Sequence, residues 1–165
     1  MKLEQKKLSS TQTVFYLPKT LPFIGTFYQD EHVILQNILA TNLAAELLLT
    51  ADFLYLKSTT PTQLADLEIL SIAQLDDYLA SPPLETIAPA THLTDKIKLI
   101  LQIVIAPMLQ KDGGNIELQK YENNIAYVHF LGKCHGCPYA ERTLKNHVEK
   151  NLIHYLPQIK EAILI

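Results

Sequence analysis

The sequence contains few of the residues that usually define a specialised class of protein. Among 165 residues there are two cysteines, five glycines and no tryptophan. Two cysteines three positions apart cannot build the disulfide framework of a small secreted domain. Fourteen Lys and Arg stand against 17 Asp and Glu, and no apolar run reaches the ~20 residues of a membrane span. We therefore expect neither a nucleic-acid partner nor a membrane.

The composition that remains is that of a folded protein with a packed core. Hydrophobic types make up 48% of the residues and charged types 19%. The proline-rich segment 81–91 (SPPLETIAPAT) predicts a linker between two small α+β domains. We predict a disordered tail at 1–12, a first domain at 13–80 and a second at 92–165. Lys-rich but not apolar, the tail is not typical of a targeting segment.

The first half has mixed helical and extended patterning. We predict a strand at 13–17, an extended stretch at 26–35, a helix at 41–49, a strand at 52–57 and a helix from Pro61 to the linker. Thr41 is the expected N-cap of the first of these helices. His32 stands alone, so this half contains no predicted catalytic group.

The second half predicts the order helix, strand, strand, helix, strand. Apolar residues recur at intervals of three and one from Ile97 to Leu109, which is the pattern of an amphipathic helix, and Pro107 should loosen its last turns. Strands are expected at 116–121 and 125–131, joined by a hairpin turn. Pro138 can begin the second helix, and a last strand is expected at 159–165.

The candidate metal-binding residues lie in the loop between the second strand and the second helix. Cys134 and Cys137 enclose two residues, a spacing that lets both sulfurs bind one metal centre, and Gly132 and Gly136 permit the tight backbone that this requires. At a helix N-terminus both thiols should favour the ionised form. The alternative, that the two cysteines are only small buried residues, fits a glycine-rich junction between two elements poorly.

Two thiolates are half of the usual ligand set. Tetrahedral zinc and iron–sulfur clusters mostly take four protein ligands. His135 and His129 are nearby candidates, although such histidines are more often solvated or packed. A two-fold dimer would instead supply four sulfurs from two identical loops.

These residues resemble the NifU-like (Nfu-type) iron–sulfur cluster scaffold proteins. The similarity lies in three segments: Asp112–Leu118 (DGGNIEL), Leu131–Pro138 (LGKCHGCP) and the helix from Thr143 to Glu149. Phe15–Pro18, Leu43–Leu47 and Asp52–Lys57 resemble, more weakly, the N-terminal domain found in many of these proteins. The family usually has serines where this chain has Tyr139 and Ala140.

The resemblance implies a carrier and not an enzyme. Cys134 and Cys137 would bind a labile [4Fe–4S] cluster across a homodimer, with [2Fe–2S] as an alternative form. An upstream cluster donor would load it, and apo iron–sulfur client proteins would receive it. The expected location is the cytoplasm, or an organelle matrix in a eukaryote.

Two other functions remain open from the sequence. A thioredoxin-like oxidoreductase also places CxxC between a strand and a helix, but it needs more elements after the cysteines than the 28 residues here can form. A structural zinc site bridging two copies uses the same four thiolates as the cluster.

Overall fold

The structure, a computed structural model, describes residues 3–81 and 86–165. The chain divides between Pro89 and Ala90 into two compact units. Helices and strands occur in both, which confirms the predicted α+β class. Among the described residues, no helix combines the length and the apolar character that crossing a membrane requires.

The first unit is built on a five-stranded antiparallel sheet with two helices. The elements in chain order are β1 (Glu4–Lys7), β2 (Gln12–Tyr16), β3 (Phe23–Ile24), β4 (Phe27–Tyr28), α1 (Val33–Leu39), β5 (Ala44–Leu49), β6 (Phe53–Ser58), a 3-10 turn (Pro61–Gln63), α2 (Leu64–Ala80) and β7 (Thr86–Ile87). The strand order in the sheet is β1-β2-β6-β5-β4. Strands β3 and β7 form a separate parallel pair.

The core of this unit lies between the sheet and its two helices. Helix α1 packs on α2 and β5, and α2 also packs on β6. The buried side chains include Phe15, Leu35, Ile38, Leu47, Leu49, Leu54, Leu56, Leu67 and Leu75. Burial of this apolar area from water is the main stabilising contribution to the unit.

The helix predicted at 41–49 is wrong, because this segment is strand β5. Leu47, Leu48 and Leu49 are all fully buried, so this end of the strand is covered on both faces and shows no period of two. The helix lies earlier, at α1, and partly replaces the predicted extended stretch. Its N-cap is His32 and not Thr41: the His32 Nδ1 accepts a hydrogen bond from the Ile34 amide at 3.3 Å.

The ends of the first unit also differ from the prediction. Within the range predicted as a disordered tail, β1 pairs antiparallel with β2, from Glu4 opposite Tyr16 to Lys7 opposite Thr13. Its four side chains are exposed, so polar composition there reflects solvation of an edge strand. Met1, Lys2 and the linker residues 82–85 lie outside the described residues. The rest of the predicted linker is not a free spacer: β7 pairs with β3 and Ala88 is buried, and both belong to the first unit.

The second unit has helices and a three-stranded sheet. The elements are α3 (Leu93–Ile100), a π-helical stretch (Leu101–Ile105), α4 (Ala106–Gln110), β8 (Gly114–Glu122), β9 (Ile125–Gly132), α5 (Ala140–Thr143), a second π-helical stretch (Leu144–Glu149), α6 (Lys150–Tyr155) and β10 (Glu161–Leu164). The strand order is β10-β9-β8, with β8 and β9 antiparallel and β10 parallel to β9. This is the predicted order of elements.

Two local features of this unit follow from the sequence. Asn123 and Asn124 both have positive φ, at 53° and 64°, and connect β8 to β9 as a two-residue hairpin turn. Pro107 cannot donate a hydrogen bond to the preceding turn, and the helix widens just before it: the Ala106 amide donates to Leu101 O, five residues back. The predicted loosening at Pro107 is thus confirmed. The helix begins at Leu93, slightly before the predicted cap at Thr94.

Candidate metal centre

The two cysteines lie in a folded loop between β9 and α5. The His135 amide donates to Gly132 O at 3.1 Å, the Cys137 amide to Cys134 O at 3.4 Å and the Ala140 amide to Cys137 O at 3.0 Å. Successive tight turns therefore hold both cysteines on one short piece of backbone. Gly132 and Gly136 have φ of +63° and +70°, the left-handed region that favours glycine, as the sequence predicted.

The loop rests on the turn between α4 and β8. Gly114 pairs with Gly132 across the ladder, and the Lys133 amide donates to Gly113 O at 3.2 Å. A β-carbon at position 114 would overlap Cys134 Sγ and lie 3.0 Å from the cysteine's own β-carbon. The Asp112–Gly113–Gly114 and CxxC segments, well separated in sequence, are two parts of one site.

Both thiols are free and half-buried. A cavity of about 380 Å³ borders both of them. Its other lining residues are Met108, Leu109, Asp112, Lys133, Thr143 and His147. His147 is exposed, as the sequence indicated, but it also faces this cavity, which sequence reasoning did not foresee.

The electrostatics at Cys134 differ from the prediction. Burial raises the pKa of the Cys134 thiol, and the neighbouring Cys137 and Asp112 raise it further. The prediction assumed a helix starting at Pro138, whereas the helical segment begins with α5 at Ala140. The raised pKa favours the protonated thiol at Cys134, so a metal that binds this sulfur has to displace the proton.

The histidines are distributed unevenly around the cysteines. The rings of His129 and His135 are neighbours, with centroids 5.2 Å apart, whereas His154 packs on Tyr155 on α6. Over residues 3–81 and 86–165, no three or more His, Cys, Asp or Glu side chains cluster as a metal site. Cys134 and Cys137 thus form a two-thiol half-site, which fits the ligand chemistry of zinc or of an iron–sulfur cluster once a second pair is supplied.

The fold and the loop define a class of domain: helix, hairpin, helix and parallel strand, with two thiols at the junction of the hairpin and the second helix. Residues 97–163 match the family described as NifU-like domain. The second unit of this chain is a NifU-like domain, and the Nfu-type resemblance predicted from its motifs is confirmed.

Relatives carry names of the same type. The chain is 41% identical over 74 residues to the Fe/S biogenesis protein NfuA of Buchnera aphidicola subsp. Acyrthosiphon pisum (strain 5A), covering 44% of this chain and 38% of that protein. It is 42% identical over 69 residues to NfuA of Pseudomonas aeruginosa (strain LESB58), covering 41% and 36%.

A mitochondrial relative is similar over a comparable length. The NFU1 iron-sulfur cluster scaffold homolog of Drosophila ananassae is 41% identical over 66 residues, covering 40% of this chain and 23% of that protein. The matches to these three relatives span less than two fifths of each relative's length. The likeness of the first unit to the N-terminal domain of such proteins stays a prediction.

Proposed function

We propose that this protein is an iron–sulfur cluster carrier that binds a labile [4Fe–4S] cluster through Cys134 and Cys137. The observation that supports this most directly is a pair of free thiols held together on a glycine turn within a NifU-like domain. The names of the relatives, Fe/S biogenesis protein and iron-sulfur cluster scaffold, point to the same chemistry.

The number of thiolates that a cluster requires favours a homodimer. A [4Fe–4S] cluster is ordinarily held by four thiolates, and one loop offers two. Two copies related by a two-fold axis present identical loops to each other and complete the set. The loop residues Lys133, His135, Gly136, Pro138 and Tyr139 are exposed, so the unit's own chain leaves room for this approach.

A site made by two half-sites is suited to releasing its cargo. Each chain contributes part of the ligand set, so separation of the dimer and loss of the cluster are linked. Thiols of an apo client can replace the carrier's thiolates one at a time at an exposed loop. We propose that the protein receives the cluster from an upstream donor and delivers it to apo iron–sulfur proteins. It catalyses no reaction, and it works in a reducing compartment such as the cytoplasm. A [2Fe–2S] cluster is an alternative cargo.

A thioredoxin-like oxidoreductase is the second candidate, and the structure favours it less. After Cys137 the chain forms one helical segment and one strand, β10, in a sheet of three strands. An efficient redox thiol also needs a lowered pKa, whereas burial raises the pKa of Cys134.

Anaerobic reconstitution with ferrous iron and sulfide tests the proposal. We expect two iron and two sulfide ions per chain, and a dimer by light scattering that returns to monomer when the cluster is removed. A monomer holding a full cluster would rule out the shared site. Zinc bound at the cysteines of the purified dimer, with no uptake of iron and sulfide, would make the structural zinc bridge the better function. Reduction of insulin disulfides without activation of an apo [4Fe–4S] enzyme would favour the oxidoreductase.

A further inference from the structure

Beside the cysteine pair, two histidines from different elements meet. His129 lies on the central strand β9, and His135 lies in the loop between the two cysteines. Their ring centroids are 5.2 Å apart with an interplanar angle of 48°. Both border a cavity of about 330 Å³, which Cys134 and Gly136 also line.

The distance between the rings suits one metal ion. An imidazole nitrogen binds zinc at about 2.0–2.1 Å and lies roughly 1.1 Å from its ring centre, so two imidazoles on one tetrahedral ion have centres about 5 Å apart. The observed separation agrees with that value. Stacked rings would be closer and more nearly parallel than this pair.

The hydrogen bond of His129 prepares its ring for such a role. Its Nδ1 lies 2.6 Å from the main-chain oxygen of Ile165, which can only accept, so Nδ1 carries the proton. A ring that donates from Nδ1 in this way has Nε2 as the nitrogen that can bind a metal. Metal-ligating histidines are commonly oriented by this type of bond. Opposite His129 on β8 stands Glu117, whose carboxylate adds negative charge to this face of the sheet.

We propose that His129 and His135 bind a single divalent first-row transition-metal ion, at a site that adjoins the two-thiol half-site at Cys134. Imidazole nitrogens suit zinc, iron, nickel and copper, and water completes the coordination in the open cavity. The site is formed within one chain and depends neither on a dimer nor on cluster binding.

The test removes the thiols so that they cannot bind the probe. Zinc is titrated calorimetrically into the full chain carrying both Cys134→Ser and Cys137→Ser. We expect one zinc ion per chain, with the imidazole NMR signals of His129 and His135 shifting as it binds. Since loss of even an orienting contact typically costs 10–100-fold in affinity, removal of either ligand by His135→Ala or His129→Ala should weaken binding at least about tenfold.

A matched histidine provides the control. His154→Ala removes an imidazole from α6, away from the loop, and should leave zinc affinity unchanged. His135→Ala is the decisive variant because its side chain is exposed and its loss does not disturb the core. The proposal is overturned if the thiol-free protein binds no zinc, or if His135→Ala leaves its affinity unaltered. Cluster uptake by the unmodified protein is measured separately, so failure here leaves the carrier function standing.

Discussion

Gly114 lies directly against Cys134, so closely that any β-carbon at 114 would overlap the cysteine's sulfur. The contact joins the first residue of β8 to the loop that follows β9. It restricts the position of the thiol, and it makes a residue with no side chain part of the candidate metal centre. The requirement at 114 is steric, since only position 113 of this glycine pair has positive φ.

Gly114→Ala should therefore displace Cys134 and lower cluster uptake on reconstitution. Overpacking of this kind costs about 1–3 kcal/mol, which hydrogen exchange of the β8 amides would report as a loss of local stability. Gly136→Asn is the matched control, because asparagine tolerates left-handed backbone and nothing lies within 4 Å of a β-carbon there. Full cluster uptake by Gly114→Ala would contradict this account of the turn.

Cys134→Ser and Cys137→Ser should each abolish stable cluster binding. One substitution removes two of the four thiolates from a dimer, and a neutral hydroxyl binds iron poorly. The fold should survive with a loss of roughly 0.5–1 kcal/mol, because neither side chain is part of the buried core. Absorption and the iron and sulfide content measure cluster binding. Circular dichroism measures whether the fold is retained. A brown, fully loaded Cys134→Ser protein would require another ligand, while an unfolded one would favour structural zinc.

His32 should make the first unit sensitive to acid. Burial lowers the pKa of His32, whose ring packs among Phe23, Phe27 and Tyr78 while the unprotonated Nδ1 caps α1. The unfolded chain then binds more protons than the folded one, so the free energy of unfolding falls as the pH drops below about 6.5 and levels off below the folded-state pKa.

Urea unfolding at pH 7.5 and 5.5 measures this effect. His32→Asn keeps a side-chain acceptor at the N-cap but cannot titrate, so the difference between the two pH values should shrink. His147→Asn, at an exposed position of the second unit, is the control. An undiminished pH difference in His32→Asn would show that another group is responsible.

The hairpin turn of the second unit should depend on Asn124. Its φ of 64° is tolerated by asparagine and glycine but strained for a β-branched residue. Asn124→Val should destabilise the β8–β9 hairpin by about 1–2 kcal/mol, and Asn124→Gly should be near neutral. Hydrogen exchange of the hairpin amides compares the two variants; equal protection in both would contradict the assignment of strain to this residue.

The second unit was the easier half to predict, for a physical reason. Its helix from Leu93 has one apolar face and its hairpin alternates, so each period indicated one structure. Strand β5, buried on both faces at Leu47–Leu49, has no such period, and local propensity indicated a helix. The sequence placed the two cysteines together on one loop, but the contact between Gly114 and Cys134 depends on strand pairing, which spacing alone does not give.

Strand β9 is the middle strand of its sheet, hydrogen-bonded to β8 on one side and β10 on the other. The cysteine loop therefore begins at the one strand of this sheet that is hydrogen-bonded on both sides, and Cys134 also contacts Gly114. The far end leads into α5, none of whose residues is buried. The two cysteines consequently differ in how firmly they are held. Cys134 is fixed by β9 and Gly114, whereas Cys137 lies next to an element with no buried residue. If the protein carries a cluster as proposed, we expect an incoming thiol to displace Cys137 before Cys134, so that the bonds to this loop break in a fixed order.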